Sequence, residues 1–462
     1  MDLVLLAVLA VLLAVVGFRV GRASSRAEAL HDVLTGLPNR ALFTDRVDRA
    51  LVTARREGTR PVVMLLDLDR FKEVNDALGQ HHGDELLRQI GPRIASVLRR
   101  SDTVARLGGD EFAVLLEDLE GDDHSRRIAG RILSALAEPF DVGGNEVMTG
   151  ASIGIAMGTA GTATPEDLMR NADLALYEAK NAGKNQFAVF APSMHEAALA
   201  RLGLTSDLRH AVERGELVVH YQPLVDLDSG HVLGLEALIR WDHPRLGLLA
   251  PGEFIGLAEE TGLIVPIGRW VLREACAQLA LWRGSLVHGD TLCMNVNVSG
   301  RQLAEPGFVD EVLAATRDAG IPSDRLTLEI TESVLVERAD AILGVLHQLR
   351  AHGARIAIDD FGTGYSSLGY LQHFPVDVLK IDRSFVNGMT HGGSQAALAR
   401  TIVALGNALG LDAVAEGIEV AAQQDALAAI GCQRGQGYLF ARPLTVESFA
   451  ARYEELLASP TP

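Results

Sequence analysis

The second half of the chain repeats an apolar strand, a loop and an amphipathic helix, and this repetition limits its possible folds more than any other feature. Eight such apolar segments follow one another over about 255 residues. Their sequences are LVVHYQPLV, VLGLEALIRW, TLCMNVNVS, RLTLEITES, RIAIDDFG, VDVLKID, LDAVAEGIE and GYLF. Because strands that alternate with helices pair in parallel, eight such units predict a TIM-like (β/α)8 barrel.

Polar side chains stand at the carboxyl ends of these predicted strands, where a barrel of this type carries its chemistry. One acidic strand end is explained by a solvated loop, but a set that recurs from strand to strand is not. The set has oxygen donors, no cysteine and no compelling His pair, so it favours Mg²⁺ or Mn²⁺ over zinc or copper. Its members are Glu236, Asn297, Glu329, Asp359, Asp360, Lys380, Glu416 and Gln436.

The first half predicts a mixed α/β fold, because strand-like and helical segments alternate there less regularly. Pro61 to Leu68 and Ala113 to Leu116 have the composition of strands. Gly83 to Arg100 and Ser125 to Ala137 have the apolar spacing of helices. The whole chain is therefore expected to be an α/β multi-domain protein.

Two acidic pairs are the candidate functional residues of the first half. Strand alternation puts Asp67 and Asp69 on one face of the predicted strand. The sequence LGGDEF predicts a tight hairpin turn at its glycine pair, with Asp110 and Glu111 at the tip. Each fragment alone is also compatible with a solvated turn or strand end, because such dipeptides are common.

Composition and charge exclude several classes of protein. The chain has 42 Lys plus Arg against 60 Asp plus Glu, a formal net charge of −18, which argues against nucleic acid as a partner. A phosphate ester substrate would need metal ions or a few placed cations beside it. Cys276, Cys293 and Cys432 have no CxxC spacing, so the domains are expected in a reducing cytosol.

An apolar N-terminal run predicts a single-pass membrane anchor over residues 1–22. Leu3 to Phe18 carries no charge, and arginines follow it, beginning with Arg19. The run covers about 24 Å against a hydrocarbon core of about 30 Å, so spanning needs Val20, snorkelling arginines or local thinning. The arginines orient the following domains towards the cytoplasm. A signal peptide or a peripheral helix is the alternative.

The remaining predicted boundaries divide the chain into two domains, a connector and a tail. The segment PSMHEAALARLG lacks strand character and is expected to be helical or irregular. The predicted parts are a first domain at 23–191, the connector at 192–203, the barrel at 204–456 and a tail at 457–462.

The first domain resembles the GGDEF diguanylate cyclases, which condense two GTP molecules into cyclic di-GMP. The similarity runs from about Asp32 to Phe190 and rests on DVLTGLPNR, DLDRFKEVND, HHGDELL, GGDEF and YEAKNAGKN. It implies an α+β nucleotide-cyclase-like fold. Since each such domain binds one GTP, it also implies a homodimer for synthesis.

This resemblance implies roles for residues of the first domain. Asp67, the Leu68 carbonyl and Asp110 would hold two Mg²⁺ or Mn²⁺ ions, and Glu111 would act at the catalytic metal and the 3′-hydroxyl. Glycines at the hairpin let the backbone approach phosphates without a Cβ clash. Lys184 stands where the family usually has Arg, which keeps the charge but not the bidentate fork. The residues implied in GTP binding are Asn75 and Asp84, which would recognise guanine, Lys72, Lys180 and Lys184, which would contact phosphates, and Gly108 and Gly109 at the hairpin.

A short motif before the hairpin fits the RxxD inhibitory site of the same family. Arg99 and Asp102 would bind the guanine and phosphates of cyclic di-GMP as feedback. The alternative is a solvated helix end, where Arg is expected because it complements the helix dipole.

The barrel resembles the EAL family of cyclic di-GMP phosphodiesterases from about Leu204 to Tyr453. The similarity rests on EALIR, NVNVS, EITE, DDFGTGYSSL, KID, EGIE and QGYLF. It implies that Glu332 and the DFGTGYSSL loop couple the site to dimer contacts.

The same resemblance implies a two-metal site in the barrel. Lys380 would orient the attacking water, Gln436 would line the site and Arg240 would contact a substrate phosphate. Two ions about 3.5–4 Å apart can share a bridging water, and the expected product is linear pGpG. The implied metal ligands are Glu236, Asn297, Glu329 and Asp359 for one ion, and Asp359, Asp360 and Glu416 for the second.

Three hypotheses about function follow. The chain is a membrane-anchored enzyme that makes and breaks cyclic di-GMP, or a phosphodiesterase whose GGDEF half is a GTP-binding regulatory module. In the third, both halves bind nucleotide without turnover. Neither signature is degenerate, which favours the bifunctional enzyme.

Overall fold

The structure is a computed structural model that describes residues 29–117, 122–158, 164–337, 339–362, 373–389 and 393–458. Its internal contacts divide the chain into two compact units, Met1–Arg201 and Leu202–Pro462. The predicted membrane anchor lies outside the described residues. Among the residues that are described, no helix has the length and apolar character needed to cross a membrane.

The first unit is an α+β fold with one main sheet and one separate hairpin. Its strands are β1 Val62–Asp69, β2 Thr103–Gly108, β3 Glu111–Leu116, β4 Phe140–Val142, β5 Asn145–Val147, β6 Gly150–Met157 and β7 Phe187–Val189. The main sheet has the order β2-β3-β1-β6-β7, and β4 pairs with β5. In the main sheet β6 and β7 are parallel, whereas the other neighbours are antiparallel.

Strand β1 lies at the centre of the sheet and is buried on both faces. Met64 and Leu66 pack in the core on one face, whereas Val63 and Leu65 pack in the core on the other. This two-sided burial explains why the strand has a continuous apolar run instead of an alternating one.

Helices cover the sheet of the first unit, and the last of them continues into the second. They are α1 Arg40–Glu57, α2 Phe71–Leu78, α3 Gln80–Ser96, α4 Asp122–Leu136, α5 Pro165–Asn181 and α6 Pro192–Ala211. The connector predicted at 192–203 is therefore part of one continuous helix. The division between the two units falls inside that helix, after Arg201.

The second unit is a closed barrel of eight strands with one added edge strand. The strands are β8 Leu217–Asp226, β9 Val232–His243, β10 Gly247–Leu249, β11 Cys293–Asn297, β12 Leu326–Thr331, β13 Arg355–Phe361, β14 Val378–Ile381, β15 Asp412–Ala415 and β16 Arg434–Gly435. The sheet runs β10-β9-β11-β12-β13-β14-β15-β16-β8, and a pairing of β8 with β9 closes the ring. The predicted barrel is confirmed.

Two details of the predicted (β/α)8 pattern are wrong. Strand β8 is antiparallel to both neighbours, because residues 227–231 between β8 and β9 are too few for a crossover connection. The segment GYLF is a turn instead of a strand, and the last barrel strand lies just before it at Arg434–Gly435. A Cβ at Gly437 would lie 2.1 Å from the Ile418 carbonyl oxygen, so this turn packs directly on backbone.

The helices of the second unit surround the barrel, and apolar side chains on the outward faces of the strands pack against them. A separate small cluster of Leu224, Ala357, Val378 and Val414 fills the barrel interior. The helices are α7 Pro251–Thr261, α8 Ile264–Ser285, α9 Gly300–Leu303, α10 Phe308–Ala319, α11 Glu332–Glu337, α12 Ala339–Ala351, α13 Arg383–Asn387, α14 Ser394–Leu409, α15 Ala421–Ala429 and α16 Val446–Ala458. The last helix includes the start of the predicted tail at 457.

Candidate functional site

The barrel interior holds one lysine surrounded by four carboxylates. Lys380 Nζ lies 2.6 Å from Glu329 Oε2 and 2.6 Å from Glu416 Oε1. It lies 3.3 Å from Asp359 Oδ1 and 3.4 Å from Glu236 Oε2. The Lys380 side chain is 1% exposed. One ammonium facing four carboxylates leaves a formal charge of −3 if all are ionised, so the cluster can accept further positive charge.

Strand alternation explains why these charges meet. Ala357, Val378 and Val414 fill the apolar layer inside the barrel, and the residue two positions after each is Asp359, Lys380 and Glu416 respectively. Side chains two residues apart on a strand point to the same face. The barrel therefore has an apolar layer and, next to it towards the carboxyl ends of the strands, an ionic layer.

Amide side chains fix the orientation of Glu236. Gln436 Nε2 donates to Glu236 Oε2 at 2.5 Å, and Asn297 Nδ2 donates to Glu236 Oε1 at 2.7 Å. The structure thus brings both predicted amide residues into the cluster. Gln436 Oε1 is buried and has no hydrogen-bond partner among the described residues, so it remains available to a ligand.

Two further amides join the cluster and were missed from the sequence. Gln222 Oε1 accepts from Gln436 Nε2 at 3.3 Å, and Asn295 Nδ2 donates to Glu329 Oε1 at 2.8 Å. Two features of the sequence point to Asn295 and Gln222. Asn295 stands two residues before Asn297 on the same strand, and Gln222 ends the polar part of the first barrel segment, HYQ.

Burial and neighbouring charge shift the pKa values of Glu236, Glu329, Lys380 and Glu416. Burial raises the pKa of Glu329 well above its usual range, and the negative charge of Glu236 adds to this effect. Burial likewise raises the pKa of Glu416 to about 8, against the opposing effect of Lys380. The pKa of Glu236 is lowered, because Lys380 and the two amides outweigh its burial. The four carboxylates raise the pKa of Lys380 despite its burial, so its ammonium stays charged.

A second acidic group lies beside the ionic layer. Ligand oxygens of Asp359, Asp360 and Glu416 all lie within 4.8 Å of one another, and they form the single group of this kind within the described parts of the chain. Asp360 has a left-handed backbone with φ 53°, at a point where the pairing of β13 with β14 is irregular. Burial, followed by the charge of Asp359, raises the pKa of Asp360. A hard divalent cation fits this oxygen-donor group, because it would relieve the repulsion that raises the pKa.

A cavity of about 540 Å³ opens beside the ionic layer. It is bounded by Glu236, Glu329, Asp359 and Asn297 on one side. Its other walls come from the ends of β9 and from helices α7 and α8, including Leu238, Ile255, Gly256, Ile264, Ile267 and Val271. A cavity lined by carboxylates and by apolar side chains suits a ligand that has both a polar and an apolar part.

Two predicted elements of the barrel site lie outside this cluster. The Arg240 guanidinium donates to the Ile239 carbonyl at 2.8 Å, and burial lowers its pKa. Most of the DFGTGYSSL loop, residues 363–372, lies outside the described residues. At its start, Glu332 Oε2 accepts from the Gly362 backbone N–H at 2.8 Å.

In the first unit, the predicted metal ligands lie at the end of β1 and in the hairpin between β2 and β3. Lys180 Nζ lies 2.7 Å from Asp67 Oδ2, and Asp67 stands opposite Glu111 in the sheet. Burial raises the pKa of Asp67, Lys180 opposes this effect, and the charge of Asp110 adds to it. The Leu68 side chain is buried in the core, so this residue could offer a metal only its backbone carbonyl.

The hairpin is the tight turn that the sequence predicts, and it is confirmed. Gly108 and Gly109 have φ values of 147° and 54°, and a Cβ on either would meet no atom within 4 Å. Arg106 holds the turn by donating to the Gly109 carbonyl at 2.7 Å and to Asp32 Oδ1 at 3.0 Å. The outer face of the turn is therefore open to a ligand while its inner face is fixed.

Helices α2 and α3 carry the predicted guanine-recognition residues. A Cβ on Gly83 would lie 1.9 Å from Asn75 Oδ1, so Asn75 reaches over the start of α3, next to Asp84. Lys72 is exposed on the same helix as Asn75, and Lys184 is exposed after α5. The two lysines therefore lie on different elements, Lys72 on α2 and Lys184 in the turn after α5.

The predicted inhibitory motif lies in the turn between α3 and β2. The helix ends at Ser96, so Arg99 and Asp102 stand beyond it. Asp102 Oδ2 accepts from the Arg99 backbone N–H at 2.8 Å, and the Arg99 side chain is exposed. The carboxylate therefore shapes the turn while the guanidinium remains accessible to a ligand.

The folds and sites together define a two-domain protein in which an α+β unit with a GGDEF hairpin precedes an acidic barrel. The sequence matches the diguanylate cyclase GGDEF domain over residues 29–186 and the EAL domain over residues 205–443. The chain belongs to the family of tandem GGDEF–EAL proteins.

Several named relatives are similar to nearly the whole chain. The bifunctional diguanylate cyclase/cyclic di-GMP phosphodiesterase MucR of Pseudomonas aeruginosa is 48% identical over 423 residues, which are 92% of this chain and 61% of MucR. The cyclic di-GMP phosphodiesterase PdeR of Escherichia coli is 41% identical, over 92% of this chain and 63% of PdeR. The chain thus spans less than two thirds of the length of these relatives.

Among solved structures, the PaMucR phosphodiesterase in complex with cyclic di-GMP is 50% identical. The match covers 53% of this chain and 98% of the PaMucR chain, with a TM-score of 0.51. The Vibrio cholerae LapD S helix-GGDEF-EAL structure covers 91% of this chain and 98% of that one, with a TM-score of 0.62. Its identity is 18%, so it supports the fold alone.

Proposed function

We propose that this protein turns over cyclic di-GMP. The barrel hydrolyses cyclic di-GMP to pGpG, and the GGDEF domain condenses two GTP molecules into cyclic di-GMP. The observation that carries the proposal is the ionic layer, in which Lys380 faces four carboxylates at the edge of a 540 Å³ cavity. Relatives named as bifunctional enzymes and as phosphodiesterases support it.

Two divalent cations, Mg²⁺ or Mn²⁺, fit the barrel site. Glu236, Asn297, Glu329 and Asp359 would hold one ion, and Asp360 and Glu416 would share the second with Asp359. When bound, such ions lower the pKa of a bound water and neutralise charge on the phosphate. The excess negative charge of the cluster and the convergence of Asp359, Asp360 and Glu416 support this assignment.

Side chains of the protein position the carboxylates of the barrel site. Lys380 Nζ stays protonated, hydrogen-bonds to Glu329 and forms an ion pair with Glu416, so its ammonium positions both carboxylates and is available to orient a nucleophilic water. Gln436 and Asn297 hold Glu236 with one oxygen each. The apolar wall of the cavity would hold a guanine base, since flat bases bind against apolar side chains.

The GGDEF domain would bind GTP at the end of β1 and at the open hairpin. Asp67, the Leu68 carbonyl and Asp110 would hold the cations, and the exposed lysines would contact phosphates. Because one such domain binds one GTP, synthesis requires a homodimer. The open turn at Gly108 and Gly109 supports a ligand site at this position.

The second candidate function is a phosphodiesterase whose GGDEF domain only binds GTP and regulates the barrel. Lys180 pairs with Asp67 at 2.7 Å, so a principal metal ligand of this domain is already neutralised by a side chain. Relatives named as cyclic di-GMP phosphodiesterases, PdeR and NbdA, are compatible with this candidate. We further propose that residues 1–22 anchor the protein in the cell membrane with both domains in the cytoplasm.

The full chain, incubated separately with GTP and with cyclic di-GMP in Mg²⁺ or Mn²⁺, distinguishes these candidates. The Glu236→Ala variant should stop pGpG formation, and it should accumulate cyclic di-GMP from GTP if the GGDEF domain is a cyclase. Asp110→Ala added to the Glu236→Ala variant is the matched control, and it should abolish that accumulation. If GTP changes the rate of hydrolysis by the wild type, and neither the wild type nor Glu236→Ala makes cyclic di-GMP, the regulatory candidate is favoured. Full hydrolysis by Glu236→Ala would overturn the barrel assignment.

A further inference from the structure

We propose that Asp69 is a positioning residue that holds a strained turn, and with it Lys184, at the nucleotide site of the GGDEF domain. This inference rests on the proposed GTP binding by that domain. Asp69 lies two residues after Asp67 on the same strand face, where a second metal ligand is the simplest expectation. Its contacts give it a different role.

Both carboxylate oxygens of Asp69 are already bound by protein donors. Ser152 Oγ donates to Asp69 Oδ1 at 2.8 Å, and the Asn185 backbone N–H donates to Asp69 Oδ2 at 2.8 Å. Ser152 is fully buried on the neighbouring strand β6, so it fixes one side of the carboxylate. The other side of the carboxylate is then aimed at the turn that follows α5.

That turn has a backbone that non-glycine residues rarely adopt. Lys184 and Asn185 have φ values of 62° and 44°, and they are the one adjacent pair of non-glycine residues with positive φ in the described parts of the chain. Such a conformation persists only where the surroundings hold it in place. A turn of this kind needs a fixed partner, and the Asp69 carboxylate is one.

The turn is anchored at its two ends by backbone hydrogen bonds and in its middle by Asp69. The Lys184 N–H donates to the Ala179 carbonyl at 3.2 Å, and the Ile153 N–H donates to the Gln186 carbonyl at 2.9 Å. Asn185 lies between these anchors, and its N–H would have no partner in the turn without Asp69. The charge on Asp69 strengthens that bond, because hydrogen bonds to ionised acceptors are the stronger ones.

The neighbouring strand leaves room for this arrangement at Gly150. A Cβ there would lie 2.9 Å from Asn185 Oδ1 and 3.3 Å from Asp69 Oδ2. Any larger residue at this position would press on both partners of the contact. The end of β1, the start of β6 and the turn thus form one unit that fixes where the Lys184 side chain begins.

The test measures binding of 3′-deoxy-GTP with Mg²⁺ to the full chain by calorimetry, since this nucleotide lacks the attacking hydroxyl. Lys184→Ala and Asp69→Ala should each weaken binding about tenfold. The double variant should bind no more weakly than either single variant, because both changes remove the same contact. Asp69→Asn, which keeps an acceptor for the Asn185 N–H, should lose less affinity than Asp69→Ala. Ser152→Ala should change the affinity less than about twofold, because it leaves the contact between Asp69 and Asn185 in place.

A metal readout separates positioning from ligation. In the Glu236→Ala background, the Mn²⁺ concentration that half-saturates synthesis should stay unchanged in Asp69→Asn, and kcat should change less than the KM for GTP. A rise in that Mn²⁺ concentration, as expected for Asp67→Ala, would make Asp69 a metal ligand and overturn the inference.

The remaining outcomes are equally decisive. Wild-type affinity in Asp69→Asn and Asp69→Ala, or effects of Asp69→Ala and Lys184→Ala that multiply in the double variant, would also overturn the inference. Failure of the wild-type chain to bind the nucleotide would instead overturn the proposed function of the GGDEF domain.

Discussion

The two domains carry acidic sites of opposite construction. In the barrel, the charged groups are inward-pointing strand residues, and Lys380 and Glu329 are each 1% exposed. In the GGDEF domain, the corresponding groups lie at a strand end, in a hairpin and in the last turn of helix α5, and the Lys180 and Glu111 side chains are 35% and 48% exposed. The first site is enclosed within the barrel, whereas the second is open to solvent.

This difference determines how much stability each site loses when one of its charges is removed. In a buried cluster, removing one charge leaves its partners unpaired in a medium of low dielectric constant. At an exposed strand end, water screens the same change. All three tryptophans, Trp241, Trp270 and Trp282, lie in the barrel, so tryptophan fluorescence reports the unfolding of that domain selectively.

The largest effect on stability is expected from Lys380→Met in metal-free protein. Removal of the ammonium leaves two buried and two partly buried carboxylates without a cation, which should lower the free energy of unfolding by about 3–5 kcal/mol. Urea denaturation followed by tryptophan fluorescence measures it, and added Mn²⁺ should restore part of the loss. A variant as stable as the wild type would mean that the cluster is not held together by Lys380.

Divalent cations should stabilise the barrel by a somewhat smaller amount. A cation at one hundred times its Kd adds about 2.7 kcal/mol to the free energy of unfolding if it binds only the folded state. The same fluorescence assay with and without Mn²⁺ checks this, and Asp360→Asn should reduce the gain because it removes one charge from the converging group. An equal gain in Asp360→Asn would remove Asp360 from the set of metal ligands.

In the GGDEF domain, the contact between Asp32 and Arg106 should give a smaller, pH-dependent effect. Burial raises the pKa of Asp32, but hydrogen bonds from Thr35 and Arg106 outweigh it, so the pKa of Asp32 lies below its usual value. A lowered pKa contributes stability above the unfolded-state pKa of about 3.9, and that stability is lost as the pH falls through the folded-state pKa.

Asp32→Asn should therefore cost about 1–2 kcal/mol at neutral pH and flatten the acid limb of the stability curve. Hydrogen exchange of peptides from β1 and β3 follows this domain without interference from the barrel. An unchanged acid limb in Asp32→Asn would assign the pH dependence to other carboxylates.

The smallest effect is expected from Lys180→Met, the counterpart of Lys380→Met. The pair of Lys180 with Asp67 is partly exposed, so its loss should change stability by less than about 1 kcal/mol. The same hydrogen-exchange measurement applies. A loss as large as that of Lys380→Met would erase the contrast between the two sites.

Much of the barrel site could be predicted from the sequence, because strand periodicity and position on a strand are local properties. Glu236, Asp359 and Glu416 each follow an apolar strand run, and a barrel brings such ends together whatever the remaining details. The reversed direction of β8 was missed because it depends on the length of one loop. The GYLF turn was missed because the close approach of Gly437 to the Ile418 backbone is a contact between distant segments.

The contacts that join distant segments could not be predicted. Asp69 binds the Asn185 N–H across 116 positions of sequence, and Gln222 meets Gln436 across 214 positions. Nothing in either local sequence indicates its partner. The hairpin at Gly108 and Gly109, by contrast, is defined by adjacent residues, and its prediction was correct.

The dependence of pGpG formation on divalent cations tests the central claim most directly. The full chain is stripped with a chelator, and its rate on cyclic di-GMP is measured before and after Mn²⁺ is returned. If the barrel carboxylates bind catalytic cations, hydrolysis should stop on stripping and return with Mn²⁺ in the wild type but not in Glu236→Ala. A stripped protein that still forms pGpG at its original rate would contradict the account.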